Sequence, residues 1–200
     1  MKTSDTVRIL CQLSLCLVLV GESAASGPRQ LASLDIENVF QATGWMGDGV
    51  YERKYVKFSG SYGESPHSKP DCIRIEYEFG PKGWAGIYWQ NIADNWGEEA
   101  GNDYSREGFT KVAFWARGER GGEVVEFKTG GIRKGKYRDS FVRTSGRLRL
   151  SQDWSEYEID LGNSDLSSVI GGFAWVASRD FNSAEANKIV FFIDDIQFQK

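Results

Sequence analysis

Strict period-two alternation limits what this chain can become. Residues 71–79 put Ile73, Ile75, Tyr77 and Phe79 on one side of an extended backbone and Arg74, Glu76 and Glu78 on the other. Successive side chains of a strand point to opposite faces, so this spacing makes one apolar and one wettable face, and no helix can use it. The pattern recurs. Residues 110–117 set Val112, Phe114 and Ala116 against Ala113, Trp115 and Arg117, and residues 123–128 turn Val125 and Phe127 inward and Glu126 and Lys128 outward. In 155–161, Tyr157, Ile159 and Leu161 share a face, and 147–150, 172–177 and 188–198 supply further strands. The segment Gly118–Gly122 between two of these runs reads as a hairpin turn. About ten short strands separated by glycine-rich turns predict an all-β chain folded as a two-sheet sandwich. Helix is expected only as a single turn near Asp165–Val169.

The first 25 residues resemble a secretory leader. Lys2 and Arg8 precede an apolar run from Ile9 to Val20, and Ser23-Ala24-Ala25 offers small residues for cleavage after Ala25. The run is short for a bilayer span, an uncleaved anchor being the alternative. A stub over 26–32 and one domain over 33–200 follow. Removing the leader takes Cys11 and Cys16 with it, leaves Cys72 alone and excludes an intramolecular disulfide. The formal charge of −4, with both signs interspersed, argues against nucleic acid or an anionic membrane as partner. The localisation expected is secreted or periplasmic.

Flat rings are concentrated in WAGIYWQNIADNW, residues 84–96. Alternation separates Trp84, Gly86 and Tyr88 from Ala85, Ile87 and Trp89, and the second set reads as core. Indole and phenol faces match the C–H patches of sugar rings, and hydroxyls need amide, carboxylate or guanidinium partners close by. The carbohydrate-binding set expected is therefore Trp84, Tyr88, Trp96 and Trp115, with Arg117 and Glu126 extending one platform across neighbouring strands. Gln90, Asn91 and Asn95 would add amides. Each of these residues also has a purely structural reading, and Arg117 beside Glu126 reads equally as a cross-strand ion pair. Trp154 is expected to pack at a turn, Trp175 and Phe173 in the core, and Trp45, in the loop TGWMGDG, in either role.

In KIVFFIDDIQF, residues 188–198, Asp194 and Asp195 stand mid-strand, and alternation turns one of them inward. A buried carboxylate needs a cation, strong donors or a proton. Calcium, which takes several oxygen ligands, is one solution, and Asp35, Glu37 and Asn38 would contribute if the terminal strands pair. An arginine partner or a solvent-facing aspartate is the other.

Four segments carry a family likeness: SLDIENVF with Gly-Trp shortly after, GFTKVAFWARGERGGEVVEF at 108–127, QDWSEYEIDL at 152–161, and IVFFIDDIQF at the end. In that order the chain resembles carbohydrate-binding modules of the galactose-binding-domain-like jelly-roll type. The resemblance implies a non-catalytic sugar binder of polysaccharide or oligosaccharide, with a structural calcium held by residues matching Glu37 and Asp194. Two other classes stay open. A jelly-roll hydrolase or lyase would need paired carboxylates or a histidine base. Here Glu158-Ile-Asp160-Leu-Gly-Asn163 lacks the last carboxylate, and His67, in SPHSKP, has no evident partner. A protein-interaction or assembly jelly roll would bind no sugar.

Overall fold

The computed structural model describes residues 31–50, 54–183 and 186–200. The expected leader and most of the 26–32 stub lie outside them. The strands are β1 (Ser33–Asp35), β2 (Gln41–Gly47), β3 (Val56–Tyr62), β4 (Cys72–Glu78), β5 (Trp84–Gln90), β6 (Lys111–Gly118), β7 (Val124–Gly130), β8 (Val142–Arg149), β9 (Ser155–Asp160), β10 (Gly171–Ser178) and β11 (Lys188–Gln199). They form two antiparallel sheets. One runs β3-β4-β11-β6-β9, with β1 also paired to β11; the other runs β2-β5-β10-β7-β8. The expected two-sheet, all-β sandwich is what the chain adopts.

The apolar halves of the alternating strands meet between the sheets. Phe114 and Phe191 of the first sheet press on Phe127, Phe173 and Trp175 of the second, with ring centroids 4.6 Å apart for Phe114–Phe127 and 5.2 Å for Trp175–Phe191. These five side chains are fully buried. Each large ring withdraws about 150–250 Å² from water, so this cluster dominates the apolar burial that joins the layers. Trp175 and Phe173 are core, as expected. Trp45 packs partly buried against the same core, edge-on to Phe58.

Four local expectations are corrected. The segment Gly118–Gly122 is not a hairpin: β6 and β7 lie in different sheets. Gly118 N and Gly122 N donate to Ser151 O and Leu150 O, and Arg120 N donates to Glu123 Oε1, so the backbone groups are satisfied by a crossing segment rather than by mutual pairing. The glycine-rich TGWMGDG stretch is largely strand β2. There Gly44 lets β2 approach β5 closely, since a Cβ would stand 2.7 Å from Tyr88 Cβ. No helical turn forms at 165–169; Val169 instead bridges Asn102, and the described helices are single 3-10 turns at Asp48–Val50 and Arg179–Phe181.

The fourth correction concerns the paired aspartates. Neither points between the sheets. The register of β11 against β6 shifts between Asp194 and Gln197, and Asp195 has φ +51. A β-bulge inserts one extra residue, so Ile193 and Ile196 both reach the core while Asp194 and Asp195 both stay on the outer side. β1 does pair with β11, matching Leu34 with Phe198.

The turn after β2 is fixed by Asp48, which is fully buried; it accepts from Tyr77 Oη at 2.6 Å and from Lys82 N at 2.8 Å. Asp48→Ala would leave a buried phenol and amide unpaired. The expected loss is about 3 kcal/mol of unfolding free energy by urea denaturation, against under about 0.5 kcal/mol for exposed Asp153→Ala.

Candidate functional site

The outer face of the second sheet carries the arrangement best suited to a ligand. The strand registers align Met46, Gly86, Val176, Glu126 and Arg147 in one row across β2, β5, β10, β7 and β8, and Gly44, Tyr88, Ala174, Lys128 and Thr144 in the next. Glycine, alanine and valine in the middle of these rows keep the floor low. Larger groups rise at its ends. At one end Trp84 is 38% exposed. Its position is set by Gly47, at φ +60, where a Cβ would lie 2.2 Å from Trp84 O. At the other end Trp96 meets Tyr88 edge-on, with centroids 6.0 Å apart and planes at 86°. Four residues of strand rise separate Trp84 from Tyr88, about 13 Å.

Tyr88 is 8% exposed, and its hydroxyl donates to Gly130 O at 3.1 Å. It serves as the wall's foundation, with Ile132, Ile170, Ala174, Met46, Trp96 and Tyr137 packed about it. Two loops build that wall. Residues 131–140 are tied down by buried Asp139, which accepts from Ile132 N at 2.7 Å, Ile170 N at 2.5 Å and Gly171 N at 3.2 Å. Desolvation pushes the Asp139 carboxyl up to about 6 against the pull of those donors. The second loop, 91–100, leans on the first through Tyr137 N, which donates to Gly97 O at 2.8 Å.

The amides expected to meet sugar hydroxyls are used up inside this loop. Gln90 is fully buried, donates to Asn95 O and accepts from Thr43 Oγ1. Asn95 bonds Asn91, Gly97 and Glu99, and Asn91 donates to Ala100 O. All three residues position Trp96 and offer little to a ligand.

The expected platform is also divided. Trp84, Tyr88, Trp96 and Glu126 belong to the second sheet's side, but Trp115 and Arg117 stand on the outer face of the first, because β6 and β7 are in different layers. There the ring of His67 stacks on Trp115 at 3.7 Å and 12°. Arg117 lies 3.8 Å over Phe192, so it makes no pair with Glu126. The Trp154 indole donates to Ser65 O at 3.0 Å beside Phe192, packing at its turn as expected. His67 is thus no solvated loop residue: its Nδ1 lies 2.8 Å from Asp195 Oδ2. Ser68 N and Oγ donate to Asp194 and Asp195. Close by on the same face, Arg74, Lys57 and Lys188 hold Glu76 down to about 2. Loop 63–70 covers this surface.

Sequence reasoning missed a set of cations beside the trough. Loop 131–138 carries Arg133, Lys134, Lys136 and Arg138, and β7 and β8 carry Lys128, Arg143, Arg147 and Arg149. All but the half-buried Lys128 are exposed. A charge count in short windows, rather than over the whole chain, would have found them.

Near the bulge, Asp194 and Asp195 approach Glu37. Part of Glu37 is exposed, yet its carboxyl is pushed up to about 7, first by desolvation and then by Asp35, Asp194, Asp71 and Asp195. The donors are all hard oxygens with excess negative charge, the chemistry calcium selects. Among the described residues no three His, Cys, Asp or Glu side chains are arranged to hold a metal by themselves, so backbone oxygens and water would have to complete any coordination sphere.

A cavity of about 890 Å³ lies between residues 119–123, Arg149, residues 181–183 and residues 186–190. It contains none of the expected sugar-binding residues. No helix among the described residues is long and apolar enough to cross a membrane.

Comparison with known proteins agrees with the fold. Two family 30 carbohydrate-binding modules overlay with TM-scores of 0.52. One is 17% identical and the overlay covers 86% of this chain and 90% of that module. The other, from a cellulosomal cellulase of Clostridium thermocellum, is 15% identical, with 85% and 98% covered. The family 11 module of another cellulosomal cellulase of Clostridium thermocellum gives 0.50 at 14% identity, covering 83% of this chain and 92% of the module. The chain has the jelly-roll fold of these modules. No family model and no curated protein matches its sequence.

Gln90→Ala should free loop 91–97. The expected result is faster amide exchange at Asn95–Gly97 and a stability loss of about 2 kcal/mol, with the exchange of β9 unchanged.

Proposed function

We propose that this protein is an exported, non-catalytic carbohydrate-binding module whose ligand lies along the trough on the β2-β5-β10-β7-β8 face. The observation that carries the reading is Trp84, a residue 38% exposed at the open end of a low floor of Gly86, Ala174 and Val176. A sugar ring stacks on Trp84, a second contact forms at the edge of Trp96, and Glu126, two strands across the same face, accepts hydrogen bonds from hydroxyls. Glu126 already accepts from Thr144 Oγ1 at 2.7 Å and has Lys128 Nζ 3.4 Å away, so it is held rather than loose. Tyr88 acts through Trp96. Trp115 and Arg117 take no part, because they face the other side of the sandwich.

An affinity gel against a panel of polysaccharides tests this. Trp84→Ala should weaken binding about 30-fold, the about 2 kcal/mol of a buried aromatic anchor, while Trp115→Ala leaves it unchanged. Equal loss in both variants, or none in either, rejects the trough. Release of reducing sugar from any bound polysaccharide rejects the non-catalytic assignment.

The reading includes a structural calcium held by Glu37 and Asp194, which would neutralise the acidic cluster and fasten β1 to the bulge of β11. Without metal, the raised folded-state pKa of Glu37 means that stability falls as pH rises from about 4.5 through about 7. A chelator should therefore lower the melting temperature more at pH 8 than at pH 5. Glu37→Gln should abolish that difference, and an equal response at both pH values removes the metal from the account.

A further inference from the structure

The sugar site sits beside charge of one sign. Between residues 128 and 149 there are eight Lys and Arg against one acidic residue, Asp139, a local charge of +7 in a chain whose total is −4. Asp139 is buried and spends its oxygens on backbone donors. It feels the charge of Arg133. Of the eight cations only Lys128 has a carboxylate within salt-bridge distance among the described residues, Glu126 at 3.4 Å. Arg143 Nε donates to Leu161 O at 3.3 Å, toward the other sheet, and three more have neutral partners. Arg147 lies 3.6 Å over the Phe181 ring, Arg149 donates to Gly122 O, and Lys136 sits 4.8 Å from the Tyr137 ring.

The fold aims this charge at the trough. Arg147 and Lys128 belong to the same rows as Gly86 and Tyr88. Loop 131–138 packs through Ile132 and Tyr137 on the cluster that seats Trp96. A ligand crossing from Trp84 to Trp96 therefore has Lys128 and Arg147 along one flank and the cations of loop 131–138 at one end. Unpaired like charges repel one another, and a polyanion relieves that repulsion.

We propose that the trough selects acidic polysaccharides, whose carboxylate or sulfate groups meet the 128–149 flank while their rings rest on Trp84 and Trp96. This rests on the carbohydrate reading above and names its ligand class. A polysaccharide fits better than nucleic acid because Glu126, beside Lys128 and Arg147, accepts hydrogen bonds from the many hydroxyls that a polysaccharide presents between its acidic groups. Charge selection adds affinity that fades with salt, whereas ring stacking does not.

The experiment measures binding of the full chain to polygalacturonate, heparin, a neutral mixed-linkage β-glucan and single-stranded DNA at about 50 and about 500 mM NaCl. One acidic polysaccharide should bind at least about tenfold tighter than the glucan at low salt and lose that advantage at high salt. Polygalacturonate carries carboxylates alone and heparin both carboxylates and sulfates, so tighter binding of heparin shows that sulfate adds to recognition. The double variant K134E/K136E, at exposed positions, should lower acidic-polysaccharide affinity about tenfold without changing the melting temperature. Trp84→Ala should weaken binding at both salt levels. If the neutral glucan binds as well as the acidic chains and neither salt nor K134E/K136E matters, the charge inference falls and the carbohydrate reading stands. If no polysaccharide binds the folded protein, both fall. If DNA binds as tightly as the best polysaccharide, the face is a general polyanion surface and the inference is overturned.

Discussion

The interlayer stack of Phe114 and Phe191 on Phe127, Phe173 and Trp175 is what the remaining structure depends on. It consumes the inward half of β6, β11, β7 and β10 and so frees the outward half for other work. The trough, the covered face beneath loop 63–70 and the acidic cluster near the bulge are all built from the half that the core does not use. Closely packed interiors deform little, so the outer rows inherit a rigid register from the rings beneath them.

The two outer faces have opposite fates. On the β3-β4-β11-β6-β9 side, His67 stacks on Trp115, Arg117 covers Phe192, and Ser68 satisfies both carboxylates of the bulge. Trp115, Arg117 and the aspartates of the bulge are thus matched by neighbours on this face. On the β2-β5-β10-β7-β8 side small residues occupy the centre, Trp84 remains open, and most cations lack a carboxylate partner. Recognition needs groups whose partners are still to come, and the second face leaves such groups open.

Much of this was legible in the residues. Alternation in 84–90 sorted Trp84, Gly86 and Tyr88 outward from Ala85, Ile87 and Trp89, and the structure keeps that division. The amides of Gln90, Asn91 and Asn95 misled because a polar loop must first satisfy its own backbone. The division of Trp115 and Arg117 from Glu126 went unseen because GERGG resembles a hairpin, while its Gly118 and Gly122 N–H groups donate to the segment before β9 and its Glu119 N–H to Val190 O of β11.

The sequence by itself determined which strands form, which side of each is apolar, and hence that the chain becomes a sandwich of antiparallel sheets. Those are properties of neighbouring residues, and a two-residue period expresses them locally. Only the tertiary structure decided which strands share a sheet, that a bulge keeps both Asp194 and Asp195 on the outer side, and that His67 stacks on Trp115 while Trp84 is left the more exposed of the two. Sheet membership depends on pairings between residues far apart in the chain, and no local period records them.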